Sequence, residues 1–181
     1  MPLKILIPEK EFYDAEKNEF IFVKETVLKL EHSLISISNW ESKWHKPYLS
    51  KEEKTKEEVI DYIKCMTLNS DVNPIVYQCL SEKNLNDIID YIKNPMTATT
   101  INNKDKKISR EIITNELIYY WMSELGIPFD PCQKWHLNRL FTLIEVCAIK
   151  KQPPKKMSKK DIMRRNSALN AQRRARHHTR G

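Results

Sequence analysis

Cys132 and His136 stand four residues apart in a predicted helix, so a thiol and an imidazole would lie on one helical face. The pair could supply two ligands to a metal ion, or a nucleophile with its base. A structural zinc site normally needs four ligands, and no C-x-x-C or H-x-x-x-H motif stands nearby. Cysteine catalysis would also need an activated thiolate and a third, orienting group. We therefore expect a packed cysteine and a hydrogen-bonded histidine, with no metal and no cofactor.

A cluster of carboxylates is the other candidate for acid-base chemistry. Its members are Glu52, Glu53, Glu57, Glu58 and Asp61. Most of them precede or begin a predicted helix, where carboxylates favour the positive end of the helix dipole. The chain has only two glycines, Gly126 and Gly181, which leaves no material for a dinucleotide-binding or phosphate-cradling loop. These observations predict that the protein is not an enzyme.

The charge of the chain is concentrated at its C-terminal end. Residues 150–181 contain six Lys and six Arg against one acid, a net charge of +11, whereas the rest of the chain has a net charge of −4. The whole chain of 181 residues suits one domain with an appendage. We predict a body over residues 1–150 and a basic linker with a C-terminal helix or tail over residues 151–181. Pro153-Pro154, set among lysines, mark the linker.

A helical hairpin over residues 109–149 is the clearest structural signal and the predicted centre of the body. Ser109 can cap a first helix that Gly126 and Pro128 end. Asp130 is placed as the N-cap of a second helix, with Gln133 reaching back to the cap N–H. Both helices carry apolar residues at helical spacing, namely Ile113, Leu117, Tyr120, Trp121 and Leu125 in the first and Leu137, Leu140, Phe141, Ile144, Cys147 and Ala148 in the second.

Short strands are predicted at the N-terminal end, over residues 3–7 and within 19–37, joined by a polar turn at 14–18. Trp40, Trp44 and Tyr48 then recur at a spacing of four in a helix that Pro47 would stop. These aromatic residues fit either a core joint or a platform for a ligand. The fold class predicted is α+β and predominantly helical, with a small N-terminal antiparallel strand region.

Further helices are predicted between the aromatic segment and the hairpin. Thr55 and Glu58 form a capping box for a helix over residues 56–68, and Asn73-Pro74 opens a shorter one. Asn84 is a candidate cap for a third helix that ends before Pro95. Residues 96–107 have no apolar period, which predicts an exposed loop. The four cysteines lie at wide, irregular spacings, which favours free thiols in a protein that stays in the cytoplasm.

The basic tail is the one compositional signal that points to a partner. Its candidate contacts are Lys155, Lys156, Lys159, Lys160, Arg164, Arg165, Arg173, Arg174 and Arg176. Lys and Arg at this density bind phosphates through counterion release, and Arg also pairs well with carboxylates. Nucleic acid and an acidic protein surface are therefore competing partners, beside a tail that is merely solvated. No aromatic residue follows Lys155, so the stacking expected of a single-strand binder is missing there.

Three stretches of the chain resemble tailed-bacteriophage proteins of the tail assembly chaperone type. They are residues 39–47 (NWESKWHKP), residues 132–140 (CQKWHLNRL) and residues 153–158 (PPKKMS) leading into Arg164-Arg165-Asn166. The resemblance implies a largely helical, non-enzymatic factor that binds the tape measure protein and tail tube proteins in the cytoplasm of the host cell. It also draws attention to four candidate partner-binding residues within these stretches, Trp40, Trp44, Trp135 and Arg139. The alternative is a virion-associated or packaging protein that binds DNA through its basic tail.

Overall fold

The N-terminal part of the chain forms a long two-stranded antiparallel ribbon. The computed structural model describes residues 1–14, 19–101, 111–151 and 158–177, apart from the side chains of residues 12–14 and 19. The four strands are β1 (Leu3–Ile7), β2 (Lys10–Asp14), β3 (Glu19–Val23) and β4 (Thr26–Leu30). β1 pairs with β4 and β2 with β3, with Leu3 facing Leu30 and Lys10 facing Val23. Both ladders keep one register, so they continue each other across a break that contains Pro8, which has no N–H to donate.

The base of the ribbon has one buried and one exposed face, as strand alternation requires. The buried face consists of Ile5, Ile7, Leu28 and Leu30. The outer edge of β4 is covered by Asn69, whose side-chain oxygen accepts from the Lys29 N–H at 2.7 Å and whose amide donates to the Val27 carbonyl at 3.0 Å. The predicted strands at 3–7 and within 19–30 are confirmed, and the predicted turn falls mostly outside the described residues.

The first helix, α1 (Leu34–Trp44), corrects one prediction and confirms another. Residues 34–37 were expected to be a strand, but they form the first turn of α1. Ser33 caps this turn, because its Oγ accepts a hydrogen bond from the Ser36 N–H at 3.2 Å. The predicted stop is confirmed, since α1 ends at Trp44 and His45 takes a left-handed conformation with φ 51°.

The next helices follow the predicted caps closely. Thr55 and Glu58 form the predicted capping box of α2 (Lys56–Met66). Asn73 caps a 3-10 helix over Pro74–Cys79. The prediction of Asn84 as the next cap is wrong: α3 (Glu82–Lys93) begins earlier, because the Ser81 Oγ accepts from the Asn84 N–H at 3.2 Å.

Both helices predicted for the hairpin are present, but the second begins later than expected. The first helix, α4 (Asn115–Leu125), ends at Gly126 with φ 71°, as predicted. The expected cap Ser109 lies outside the described residues. A short helix, α5 (Phe129–Cys132), and then α6 (Leu137–Lys151) follow, so helix formation from Asp130 onward is interrupted.

Tertiary hydrogen bonds explain this interruption. The backbone at residues 133–137 pairs with residues 32–35, with the Leu137 N–H donating to the His32 carbonyl at 2.7 Å and a β-bridge joining Ser33 to His136. Gln133, expected to cap a helix, instead accepts from the Tyr119 hydroxyl at 3.0 Å.

The core combines the ribbon base with α1, α2 and both helices of the hairpin. Its fully buried large side chains include Leu30, Trp40, Ile63, Met66, Ile118, Met122, Leu137 and Leu140. α1 packs against both α2 and α4. The described chain is thus α+β and predominantly helical, as predicted.

The chain divides into two compact units, Met1–Ala148 and Ile149–Gly181. The second unit contains the helix α7 (Lys159–His177), which Ser158 caps as the sequence predicts. Every residue of α7 is exposed.

Candidate functional site

Two buried histidines lie side by side in the first unit. The rings of His32 and His136 are 5.2 Å apart, and the His32 Nδ1 is hydrogen bonded to the Tyr62 hydroxyl. Tyr48 stacks on Tyr62 with a ring separation of 3.8 Å. Tyr91 packs edge-on against His136 at 4.9 Å. We call these five residues the His–Tyr cluster.

The hydrogen bonds of His136 determine which of its ring nitrogens carries the proton. The Asn138 N–H donates to Nδ1 at 3.3 Å, so the ring proton is on Nε2, which donates to the Tyr91 carbonyl at 3.1 Å. Both ring nitrogens are therefore engaged. His136 could bind a metal or activate the Cys132 thiol only by giving up one of these bonds, and Cys132 itself is buried.

Burial keeps the His–Tyr cluster neutral. Desolvation, together with the nearby His136, lowers the pKa of His32 from 6.5 to about 3. Desolvation also lowers the pKa of His136 and raises the pKa values of Tyr48, Tyr62 and Tyr91. Neutral, buried groups that bond to one another hold the surrounding helices and loops together, and they do not form an open catalytic centre.

Trp40 and Trp44, two of the candidate partner-binding residues, join α1 to α2. Trp40 is 1% exposed, and its Nε1 donates to the Glu58 carbonyl at 3.0 Å. Trp44 is half-buried, stacks on Trp40 at 6.1 Å and donates to Asp61 at 2.9 Å. In this fold Trp40 packs in the core and does not reach the surface. Of the two interpretations, a core joint and a ligand platform, the contacts of Trp40 and Trp44 with α2 support the core joint.

Two members of the acidic cluster, Glu58 and Asp61, are buried and hydrogen bonded to neighbouring residues. Lys46 donates to Glu58 at 2.8 Å, and this bond, with the one from the Thr55 N–H, lowers the pKa of Glu58. Burial alone would raise the pKa of Asp61, but hydrogen bonds from Lys43 and Trp44 hold it below its usual value. Neither carboxyl group has the raised pKa of a general acid.

A polar cavity of about 340 Å³ lies between the end of α1 and the start of α4. It is lined by Ser38, Glu41, Ser42, His45, Lys46, Pro47, Thr114, Asn115 and Glu116. The buried Glu41 carboxylate accepts from the Tyr48 N–H at 2.7 Å and from the Asn115 N–H and side-chain amide at 2.8 and 2.6 Å. Thr114 makes no side-chain cap, so Glu41 takes over the capping of α4.

Trp135 and Arg139, the other two candidates, form a pair near the start of α6. The Arg139 guanidinium lies 4.1 Å from the centre of the Trp135 ring, a cation–π contact. Arg139 is exposed and Trp135 is half-buried. This pair lies at the surface, in contrast to Trp40.

The ribbon presents a second exposed surface that the sequence analysis did not single out. Phe20 and Phe22 are 70% and 57% exposed and, two residues apart in β3, lie on one face. Leu6 and Val27, directly opposed across the ribbon base, are 55% and 41% exposed. Among the described residues, β2 and β3 pair only with each other, so each has an outer edge without a sheet partner. We call the exposed pair Phe20 and Phe22 the ribbon surface.

Most basic candidates of the tail are brought together on α7. They are Lys159, Lys160, Arg164, Arg165, Arg173, Arg174 and Arg176. Lys155 and Lys156 lie outside the described residues. Within the part of the chain that the structure describes, no group of three or more His, Cys, Asp or Glu side chains is placed to hold a metal ion. No described helix is both long enough and apolar enough to cross a membrane.

Comparisons with protein-family models, curated proteins and solved structures find no match to this chain.

The His–Tyr cluster and the ribbon surface were the features that sequence reasoning missed. His32 and His136 are about a hundred residues apart, and no local motif links them. A signal for the ribbon surface was available, because the unbroken apolar run from Phe20 to Val23 places apolar residues on both faces of one strand. A strand with one solvated face normally alternates with polar residues.

Proposed function

We propose that this protein is a non-enzymatic assembly factor of a tailed bacteriophage, a tail assembly chaperone that binds the tape measure protein. The partner is proposed from the resemblance of the three stretches at residues 39–47, 132–140 and 153–166. That it acts by binding another protein is supported by the ribbon surface, which is the observation that carries the proposal.

The ribbon surface has the properties of a protein-binding element. Phe20 and Phe22 are large aromatic side chains of the kind that anchor interfaces. The outer edges of β2 and β3 offer backbone N–H and C=O groups to an added strand. Exposed apolar residues beside such edges favour association with another chain.

The remaining candidate groups support binding without turnover. His136 uses both ring nitrogens in hydrogen bonds, and Glu58 and Asp61 are held by lysines. The cavity beside Glu41 is lined largely by polar side chains, so the ribbon suits an apolar partner better. We therefore place the first contact with the tape measure protein on the ribbon and not in a groove between helices.

Co-expression with the tape measure protein of the same phage tests the proposal. The wild-type protein should keep the tape measure protein soluble in a stoichiometric complex. The complex should survive a chelator and moderate salt, because apolar contacts are little screened. The double variant Phe20→Asp, Phe22→Asp should lose most of this solubilisation, since it places two charges on the ribbon surface.

Tyr120→Asp is the matched control, because Tyr120 is an aromatic residue that is 58% exposed on a different element, α4. It should leave the complex intact. Circular dichroism should show the same helix content in all three proteins. If the tape measure protein aggregates equally with the wild type and the double variant, the proposal is wrong. The alternative of DNA binding through the basic tail depends on α7 and is independent of this test.

A further inference from the structure

α7 is a helix without an apolar face. Its seven Lys and Arg residues stand against one acid, Asp161, so its net charge is +6 with His177 neutral. None of its residues is buried. A helix of 19 residues is about 29 Å long. A helix that is polar all round has no core to stabilise it, which makes a partner the natural source of that stability.

The basic residues of α7 surround the helix. At 100° per residue, the widest arc without a Lys or Arg is only about 100°, between the directions of Arg164 and Arg165. A flat acidic protein surface contacts one side of a helix and would leave the cations on the other side without counter-charges. A nucleic-acid groove supplies phosphates along both of its walls, so it matches a charge distribution of this kind.

The cations also occur in two groups along the helix axis. Lys159, Lys160, Arg164 and Arg165 form the first group, and Arg173, Arg174 and Arg176 form the second. Between them lies an uncharged segment of seven residues, Asn166–Gln172, about 10 Å long. It contains Asn166 and Asn170, which lie four apart on one face.

We propose that α7 binds in the major groove of duplex DNA, with its two basic groups on the phosphates and Asn166 and Asn170 facing the base edges. The major groove of B-DNA admits an α-helix, and Asn can pair with adenine there. The major groove of duplex RNA is too narrow for a helix, and α7 has no Phe, Tyr or Trp to stack on single-stranded bases.

A binding titration of the full-length protein with a labelled DNA duplex of mixed sequence tests the charge contacts. The triple variant Arg173→Gln, Arg174→Gln, Arg176→Gln should bind more weakly. Its slope of log K against log salt should be smaller in magnitude by about 2.7, since each lost phosphate contact removes about 0.9. Gln is a good helix former, so circular dichroism should show α7 retained.

The matched control neutralises three exposed lysines of the body, Lys51→Gln, Lys56→Gln and Lys83→Gln, with the same change of net charge. It should bind DNA with the wild-type salt slope. Equal weakening in the two triple variants would overturn the proposal, because it would show that only net charge matters. Competition by polyglutamate as strong as by duplex DNA would also overturn it, in favour of an acidic protein partner.

Protection of guanine N7 from dimethyl sulfate tests the groove, since N7 lies in the major groove. The wild-type protein should protect N7 atoms within its binding site. The variant Asn166→Ala, Asn170→Ala keeps every charge and should bind with the same salt slope but discriminate less between duplexes of different sequence. Tight binding that leaves every N7 accessible would overturn the major-groove assignment.

Discussion

His32 and His136 place two imidazoles in the interior, where each is satisfied only as a neutral ring. The Tyr62 hydroxyl bonds to His32, while the Tyr91 carbonyl and the Asn138 N–H bond to His136. A proton added to either ring would place a charge in a desolvated site and would leave Nδ1 of His136 as a donor facing the Asn138 N–H. The His–Tyr cluster is thus stable only while both histidines are neutral.

Because both histidines are neutral in the folded protein, we expect its stability to decrease in acid. The pKa of His32 in the folded protein is about 3, below the ordinary value of 6.5, so the unfolded chain binds the proton more readily. Stability should therefore be complete above pH 6.5 and fall as the pH drops toward 3, by up to on the order of 5 kcal/mol from this residue. Urea unfolding at a series of pH values measures the effect.

The variant His32→Gln separates this effect from the titration of carboxylates, which acts at lower pH. Its stability should be lower at neutral pH but should change less between pH 6.5 and 4.5, where His32 no longer contributes. His177→Gln removes an exposed histidine on α7 and should behave as the wild type. Parallel pH curves for wild type and His32→Gln would contradict the role assigned to His32.

At the scale of elements, one buried carboxylate joins α1, the following loop and α4. Both oxygens of Glu41 accept from N–H groups, those of Tyr48 and Asn115. A helix start needs acceptors for its first N–H groups, and here α1 supplies one to α4. The position of α4 against α1 therefore depends on a tertiary contact and not on a local cap.

Glu41→Gln should destabilise the protein by about 1–3 kcal/mol, because glutamine offers one acceptor oxygen and would turn an N–H₂ group toward a buried N–H donor. Chemical denaturation measures the change. Glu25→Gln, an exposed glutamate beside β4, is the control and should change stability by less than about 0.5 kcal/mol. An equal and small effect of both substitutions would show that Glu41 does not hold α4 in place.

At the scale of the whole molecule, the two units differ in the number of apolar side chains that they bury. All the large buried apolar residues of the described chain lie in the unit Met1–Ala148, and α7 buries none. Limited trypsin digestion should therefore cut first between Lys150 and Lys160 and leave a resistant fragment of the body. Mass spectrometry of the first products measures this. First cuts within residues 115–148 would contradict the predicted boundary.

Local signals were sufficient to predict the elements that carry their own start and stop residues. Thr55 with Glu58, Gly126 after α4 and Ser158 before α7 were readable because a cap acts within a few residues. The alternation of β1 and the charge of α7 were likewise local. The α+β, predominantly helical class followed from these signals.

Where a local signal competed with contacts to residues far away in the sequence, only the tertiary structure determined the conformation. Residues 34–37 alternate like a strand, but Ser33 and the packing of α1 on α2 make them helical. Asp130 and Gln133 predicted a helix that continues from Pro131, but residues 133–137 pair with the backbone near His32, so α6 begins only at Leu137. For the same reason, the sequence predicted neither the His–Tyr cluster nor the hydrogen bonds from Glu41 to Tyr48 and Asn115. Their partners are brought together by burial, and the free energy of burying apolar surface is a sum over the whole core that no local pattern contains.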